Sequence, residues 1–291
     1  MTDPSTRAAV IVAATGVLWG FYWLPLRALD AAGWTGAWGT LAVTLAAVLI
    51  LAPLAWPHRH ALRTAGPLAL ASIAVGGAAF AIYSVGLVHG RVAIVILLYF
   101  LTPVWSSILG RLLFGHRATP RRIATILTGI AGLVVMLAAT GNWPIPRSSG
   151  EWMGLAGGVL WAIGTTGMKS TSDLAPLPSA LVFALGAALT ALIAAPLLGP
   201  VPPLAIGWSA VLLAVVAGIV WWGLSIAALM WATLRVDPAR GGILLMTEVL
   251  VGALSAALIA GEALLPLELV GGALVLAAGV LEVWPARVRR G

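Results

Sequence analysis

The sequence predicts an all-α membrane protein of ten transmembrane helices, arranged as two inverted five-helix repeats. Three observations support this fold class: an extreme apolar composition, ten apolar runs of spanning length, and matching motifs in the two halves. Hydrophobic residues make up 61% of the 291 positions, charged residues make up 9%, and the mean hydropathy is +1.07. Because a soluble domain has roughly a quarter of its residues charged, this composition excludes a soluble fold.

Ten apolar runs are long enough to cross the hydrocarbon core, which takes about 20 residues of helix. The predicted spans are Ala8–Arg27, Gly36–Trp56, Ala65–His89, Val92–Phe114, Pro120–Thr140, Glu151–Ser170, Pro178–Leu198, Ile206–Leu234, Arg240–Gly261 and Pro266–Trp284. Turn and breaker residues fill the gaps, and no gap is long enough for a soluble domain. We therefore divide the chain into two membrane domains, residues 1–140 and 151–286.

The distribution of basic residues predicts the orientation. Of the 16 Lys and Arg residues, only Arg27, Arg91 and Arg147 fall in segments opposite the N-terminus. Cytoplasmic loops are enriched in Lys and Arg, so both termini are predicted to be cytoplasmic. The net charge of +7 is then a consequence of topology, which argues against a nucleic-acid partner. The expected partners are the lipid bilayer and a small-molecule solute, and the chain is expected to be a monomer.

Matching motifs indicate that the second half repeats the first. The repeat-related segments lie at a nearly constant offset: Gly16–Trp19 with Gly158–Trp161, Arg27 with Lys169, Thr102–Val104 with Thr247–Val249, Gly115 with Gly261, and Pro120 with Pro266. Because five is odd, the second copy enters the membrane from the opposite side. Inverted halves are the usual framework for alternating access around a midplane site. A duplicated membrane scaffold or enzyme that does not transport is the alternative.

These motifs resemble those of the drug/metabolite transporter superfamily, with two copies of the EamA-type five-helix unit. The segments that carry the resemblance are Leu18–Gly20, Leu160–Ala162, Pro103 with the run to Gly115, and Gly261–Glu262 ahead of Leu264–Leu265. Two positions depart from the pattern: His116 stands where such units commonly have Glu, and Glu248 where they commonly have Pro.

The aromatic content and the Tyr99–Pro103 segment look most like the YddG-type exporters of aromatic amino acids. The resemblance implies a secondary transporter or facilitator that exports small amphipathic metabolites, with Trp, Phe and Tyr as the best candidates. Export would cross the bacterial cytoplasmic (inner) membrane by alternating access. Export of a hydrophobic cation, a nucleoside or a sugar conjugate stays open.

Aromatic and hydroxyl side chains far from the predicted helix ends predict a substrate site. Trp19 and Trp161 are repeat mates at comparable depth, and offset ring contacts would hold a flat solute with about 0.5–1.5 kcal/mol per pair. Further candidate lining residues are Trp105, Trp221 and Trp222, with the hydroxyls of Tyr83, Tyr99 and Thr165. Packing between helices is the alternative for each of them.

Glu248 is the acid that lies well inside a predicted span. A charge at that depth costs roughly 2.5–3.5 kcal/mol, and intramembrane acids are commonly functional. We expect Glu248 to carry a proton or to contact a substrate ammonium. The alternatives are an ion pair with Arg235 or Arg240 and a protonated hydrogen bond between helices.

Arg27 and Lys169 lie at the ends of repeat-related spans, on opposite sides of the membrane. We predict that they gate the two openings of the substrate site. Snorkelling of both side chains to lipid headgroups is the alternative. Glu262 and Glu268, which lie in an outer loop, are expected to be solvated.

Enzyme signatures are missing from the sequence. It has no cysteine, no His-Glu-x-x-His pattern, no Gly-x-Ser-x-Gly elbow and no P-loop. We therefore expect no catalytic residue, no metal and no cofactor. A membrane enzyme or interaction protein remains the alternative from a different class.

Overall fold

The structure, a computed structural model, describes residues 4–114, 119–171, 174–203, 207–233, 235–236 and 238–283. Within these ranges all regular secondary structure is helical. The α-helices are α1 (Pro4–Gly20), α2 (Trp23–Ala31), α3 (Trp38–Ala55), α4 (Arg59–Thr64), α5 (Pro67–His89), α6 (Val92–Tyr99), α7 (Thr102–Phe114), α8 (Pro120–Leu137), α9 (Ser149–Thr171), α10 (Pro176–Leu198), α11 (Trp208–Ala217), α12 (Ser225–Thr233), α13 (Pro238–Leu245), α14 (Thr247–Ile259) and α15 (Pro266–Val283). A π-helical segment, Gly218–Leu224, joins α11 to α12.

Eight helical segments in the described ranges are long and apolar enough to cross a membrane. They are Ser5–Ala31, Trp38–Thr64, Pro67–His89, Val92–Leu112, Pro120–Thr140, Pro176–Leu198, Trp208–Ala232 and Arg240–Ile259. Each of them overlaps one predicted span. The two remaining predicted spans correspond to α9, which is rich in glycine, and α15, which contains two glutamates. The chain is a multi-pass helical membrane protein, and length and composition alone support eight of the ten predicted spans.

Three predicted spans are not continuous helices, which corrects the sequence prediction. The breaks lie between α1 and α2, between α6 and α7, and at Met246 between α13 and α14. Pro25 and Pro103 account for the first two. Proline has no N–H, and its ring displaces the carbonyl four residues earlier, here that of Phe21 or Tyr99. Helix breaks deep in a membrane protein occur where the backbone is buried in protein or lines a cavity.

A threonine contact is common to two of these breaks. The Thr102 hydroxyl lies 2.8 Å from the Tyr99 carbonyl and 3.3 Å from the Gly158 carbonyl in α9. The Thr247 hydroxyl lies 2.8 Å from the carbonyl three residues before it and 3.3 Å from the Ala13 carbonyl in α1. Each break is therefore tied to a helix from the other half of the chain.

Small residues let α9 approach α5 and α6 closely. A β-carbon on Gly154 would lie 2.7 Å from the Val95 carbonyl oxygen, and one on Gly164 would lie 2.8 Å from the Gly76 backbone nitrogen. Close backbone contact of this kind is the usual role of small residues in membrane helices. The first helix of the second half is thus held rigidly against the first half.

Candidate functional site

Nine aromatic side chains meet in the interior of the bundle. This aromatic cluster consists of Trp19, Tyr22, Phe80, Tyr83, Tyr99, Trp161, Phe183, Trp221 and Trp222. Phe80 is its centre, with ring centroids 5.1 Å from Trp19, 5.5 Å from Tyr83 and 5.0 Å from Trp222. These separations fall in the range of favourable offset and edge-to-face pairs. The cluster thus brings ring faces and edges from several helices together.

Several of these aromatic residues lie in or next to segments that depart from regular α-helix. Trp19 precedes the α1–α2 break, Tyr22 lies in that break, and Tyr99 is the last residue of α6. The π-helical segment contains Trp221 and Trp222. Because π-bulges and broken helices recur at functional sites in membrane proteins, this region is the candidate site of the bundle.

Hydrogen bonds fix the indole rings. Trp19 Nε1 donates to the Ser225 hydroxyl at 2.9 Å, and Ser225 donates in turn to the Trp221 carbonyl. Trp222 Nε1 donates to the Tyr22 hydroxyl at 2.7 Å. Buried indole N–H groups need such partners, so the tryptophans have defined orientations.

Glu248 lies at the edge of the aromatic cluster, in the first turn of α14. Its side chain is buried, with the residue 2% exposed, and the Tyr83 hydroxyl donates to its Oε1 at 2.9 Å. The sequence alternative of an ion pair with Arg235 is wrong, because Arg235 lies over the Trp231 ring and donates to the Trp231 carbonyl. The hydrogen-bond partner that the described residues give Glu248 is therefore a neutral hydroxyl.

Tyr99 places a hydroxyl beside the hydrogen-bonded pair of Tyr83 and Glu248. Its ring stacks on Tyr83 with centroids 4.4 Å apart. Its hydroxyl is buried and has no hydrogen-bond partner in the described part of the chain. Since buried polar groups are usually satisfied, the Tyr99 hydroxyl is available to a bound molecule.

The structure brings together seven of the predicted site residues and leaves two apart. Ring contacts or the Tyr83 hydrogen bond connect the seven, which are Trp19, Tyr83, Tyr99, Trp161, Trp221, Trp222 and Glu248. Trp105 makes no ring contact with the cluster among the described residues, and its Nε1 is buried without a partner there. Thr165 donates to the Trp161 carbonyl in its own helix, so its hydroxyl is used locally.

Sequence reasoning missed Tyr22, Phe80 and Phe183. One signal was present: Phe80 precedes Tyr83 by three residues, so the two share a helix face. Nothing in the sequence pattern indicated that Phe183 of α10 would reach Phe80, with ring centroids 6.3 Å apart. That contact depends on how α10 packs against α5.

Arg27, Arg91, Glu262 and Glu268 lie at one end of the bundle, which we call the Arg27 end. Arg27 Nη2 lies 2.7 Å from Glu262 Oε1, and the guanidinium also donates to the carbonyls of Leu87 and Gly90. Snorkelling to headgroups is therefore wrong for Arg27, because protein partners occupy its guanidinium. Its role as a gate stays a prediction. The side chain of its repeat mate, Lys169, lies outside the described residues.

A second ion pair lies beside the first. Arg91 contacts both carboxylate oxygens of Glu268, at 2.5 and 3.0 Å, and Glu268 is 2% exposed. The hydrogen bonds that Arg91 donates to the Glu268 carboxylate raise the pKa of Arg91 above its ordinary value. The expectation that Glu262 and Glu268 are solvated is wrong, because basic residues from the other half of the chain reach both.

Broken helices that meet inside a multi-pass bundle are typical of membrane transporters of small solutes. Residues 6–138 match the sequence profile of the EamA-like transporter family. The first half of the chain is therefore similar to the EamA-like transporter family, in line with the resemblance that its motifs suggest.

Comparison with solved structures concerns the fold. One crystal structure of a protein is similar over 96% of this chain and 99% of its own, with a TM-score of 0.60 and 20% sequence identity. At that identity the likeness extends to the fold alone. No curated protein matches the sequence at a significant level.

Proposed function

We propose that the protein is a secondary transporter that exports aromatic amino acids across the bacterial cytoplasmic membrane. The observation that carries the proposal is the Tyr83–Glu248 hydrogen bond at the edge of the aromatic cluster. Ring faces bind a flat apolar solute. The described residues give Glu248 a hydroxyl partner, and a buried carboxylate of this kind can bind an ammonium. An aromatic amino acid contains both groups.

Each part of such a solute has a complementary group. Glu248 would accept hydrogen bonds from the ammonium, and the unpartnered Tyr99 hydroxyl would donate to the carboxylate. Trp161 is only partly buried and contacts Tyr99 and Phe183 with ring centroids 6.1 and 5.9 Å away. Its ring is therefore placed to stack on a solute held by the two polar groups.

Ten spans in two inverted repeats are part of the proposal, with α9 and α15 as the sixth and tenth. Helix order supports it: a break separates α6 from α7 and α13 from α14, and one further long helix, α8 or α15, follows in each half. The Thr102 and Thr247 contacts relate the two halves in the same way. Repeats packed against one another around a fixed site are the usual basis of alternating access.

The proposed topology places both termini in the cytoplasm and the Arg27 end outside. The ion pairs of Arg27 and Arg91 then hold the outer mouth closed, because each joins the first repeat to the second. Opening that mouth requires these contacts to separate. Arg27 is the proposed outer gate, and Lys169 would act at the inner mouth.

Competition in proteoliposomes tests this function. Uptake of labelled phenylalanine in counterflow should be saturable and inhibited by tryptophan and tyrosine, but not by leucine or nucleosides. Stronger inhibition by phenethylammonium than by phenylalanine would assign the site to hydrophobic cations instead. Equal inhibition by aliphatic amino acids would contradict the role given to the aromatic cluster.

A further inference from the structure

A cavity of about 420 Å³ lies at the Arg27 end, apart from the aromatic cluster. The ends of α5 and α8 and the beginnings of α6, α9 and α15 enclose it. Its size falls within the range of small-molecule sites, roughly 300–1,000 Å³. The cavity therefore has room for a solute as large as an aromatic amino acid.

A cation and an anion line this cavity without pairing with each other. The Arg147 guanidinium donates to the Leu137 carbonyl. Glu151, which is 7% exposed, accepts at 2.7 Å from the Arg147 backbone N–H rather than from the guanidinium. The ion pairs found among the described residues, Arg27–Glu262 and Arg91–Glu268, involve neither of these two side chains.

The rest of the lining adds little net charge. Arg91 and Glu268 also line the cavity, but they neutralise each other. His89 Nδ1 lies 3.1 Å from the Val85 carbonyl. Because a carbonyl only accepts, His89 Nδ1 donates in this contact. Val88 contributes to an apolar wall.

We propose that this cavity is a second binding site, specific for a small zwitterion. The acid group of the ligand pairs with the Arg147 guanidinium, its ammonium pairs with Glu151, and its apolar part contacts the wall at Val88. A free amino acid has this chemistry, and so does the headgroup of phosphatidylethanolamine. The evidence for this second site is the cavity and the charged groups that line it. Only the statement that the site faces outward depends on the proposed function.

Single-cysteine labelling tests the site in the intact protein. The natural chain has no cysteine, so Val88→Cys gives one thiol in the cavity. Asn142→Cys gives a matched thiol that is exposed in the α8–α9 loop and lies outside the lining. We expect phenylalanine to slow the reaction of Cys at 88 with a membrane-impermeant maleimide, and to leave Cys at 142 unaffected. Phenethylamine and hydrocinnamate each lack one charged group and should not protect.

Lipid composition separates the two sources of the zwitterion. In vesicles of phosphatidylcholine and phosphatidylglycerol, protection should require phenylalanine. Phosphatidylethanolamine alone could instead protect Cys at 88 fully, so that phenylalanine has no further effect. That result would assign the site to the lipid headgroup. Equal labelling rates under all of these conditions would overturn the proposal.

Arg147→Gln supplies the second measurement. Loss of a charge-assisted pair should weaken phenylalanine protection about tenfold to a hundredfold, and Arg147→Lys should restore part of it. Arg59→Gln, which changes an exposed arginine packed on Trp56, serves as the control.

Labelling and flux measured in a variant of the aromatic cluster distinguish this second site from the proposed transport function. Protection at position 88 should persist in a Trp161→Ala background, in which flux is reduced. Normal flux without protection would overturn the second site alone. Protection without flux of any aromatic amino acid would overturn the transport proposal alone.

Discussion

The Tyr83 hydroxyl of α5 donates a 2.9 Å hydrogen bond to Glu248 of α14, a residue 165 positions later in the chain. In the proposed repeat, Glu248 corresponds to Pro103. Proline explains the α6–α7 break, whereas the α13–α14 break persists without one. Both residues are second in the helix that follows the break, α7 or α14.

Glu248→Gln tests the role of this acid. The amide still accepts from Tyr83 but has no negative charge for an ammonium. Affinity for phenylalanine and phenethylamine should fall roughly tenfold to a hundredfold, the range for a hydrogen bond between charged groups. Affinity for the deaminated analogue hydrocinnamate should stay the same or rise, and both are measured by competition in proteoliposomes.

Tyr83→Phe is the matched control for that experiment, because it removes the hydroxyl and keeps the ring stacked on Tyr99. We expect a smaller loss of phenylalanine affinity than in Glu248→Gln. Glu248→Gln and Tyr83→Phe could instead each lose affinity for phenylalanine and for hydrocinnamate equally. That result would show that the Tyr83–Glu248 pair only supports packing.

Trp161→Ala should raise the KM for phenylalanine about two- to tenfold, since one stacked ring pair contributes roughly 0.5–1.5 kcal/mol. Trp143→Ala, at a tryptophan that is 83% exposed, should leave KM unchanged. Initial rates of uptake give KM, and thermal unfolding in detergent reports whether each variant folds. A Trp161→Ala variant that folds and transports with unchanged KM would remove this ring from the site.

Arg27→Gln should destabilise the protein by about 1–3 kcal/mol, because it leaves the Glu262 carboxylate without its charged partner. The Arg27 side chain is 27% exposed and that of Glu262 is 15% exposed, so solvent screens the pair only in part. The double variant with Glu262→Gln should recover some of that stability. Thermal unfolding measures both, and a single variant as stable as the native protein would argue against an ion-pair gate.

Gly154→Ala should destabilise the contact between α9 and α6. The added β-carbon would lie 2.7 Å from the Val95 carbonyl oxygen, and such overpacking typically costs about 1–3 kcal/mol. Gly66→Ala is the control, since a β-carbon there has nothing within 4 Å. We expect a lower unfolding temperature for the first substitution alone, and equal unfolding temperatures would contradict the close approach.

Several features of the protein follow from the sequence by itself. Apolar composition excludes a soluble fold, because too few polar side chains exist to cover a water-facing surface. Matching motifs relate Trp19 to Trp161 along the sequence, and the resemblance to EamA-type units agrees with the profile match of residues 6–138. These features depend on local composition and spacing, which a sequence displays directly.

Tertiary structure alone decided which side chains meet. Three different helical segments carry Tyr22, Phe80 and Phe183. The ring contacts of these residues depend on helix packing angles, which the apolar pattern does not encode. The partners of Arg27 and Glu248 also come from distant segments. In a chain that is apolar on nearly every helix face, hydrophobic periodicity is too weak to distinguish the face that meets lipid from the face that meets protein.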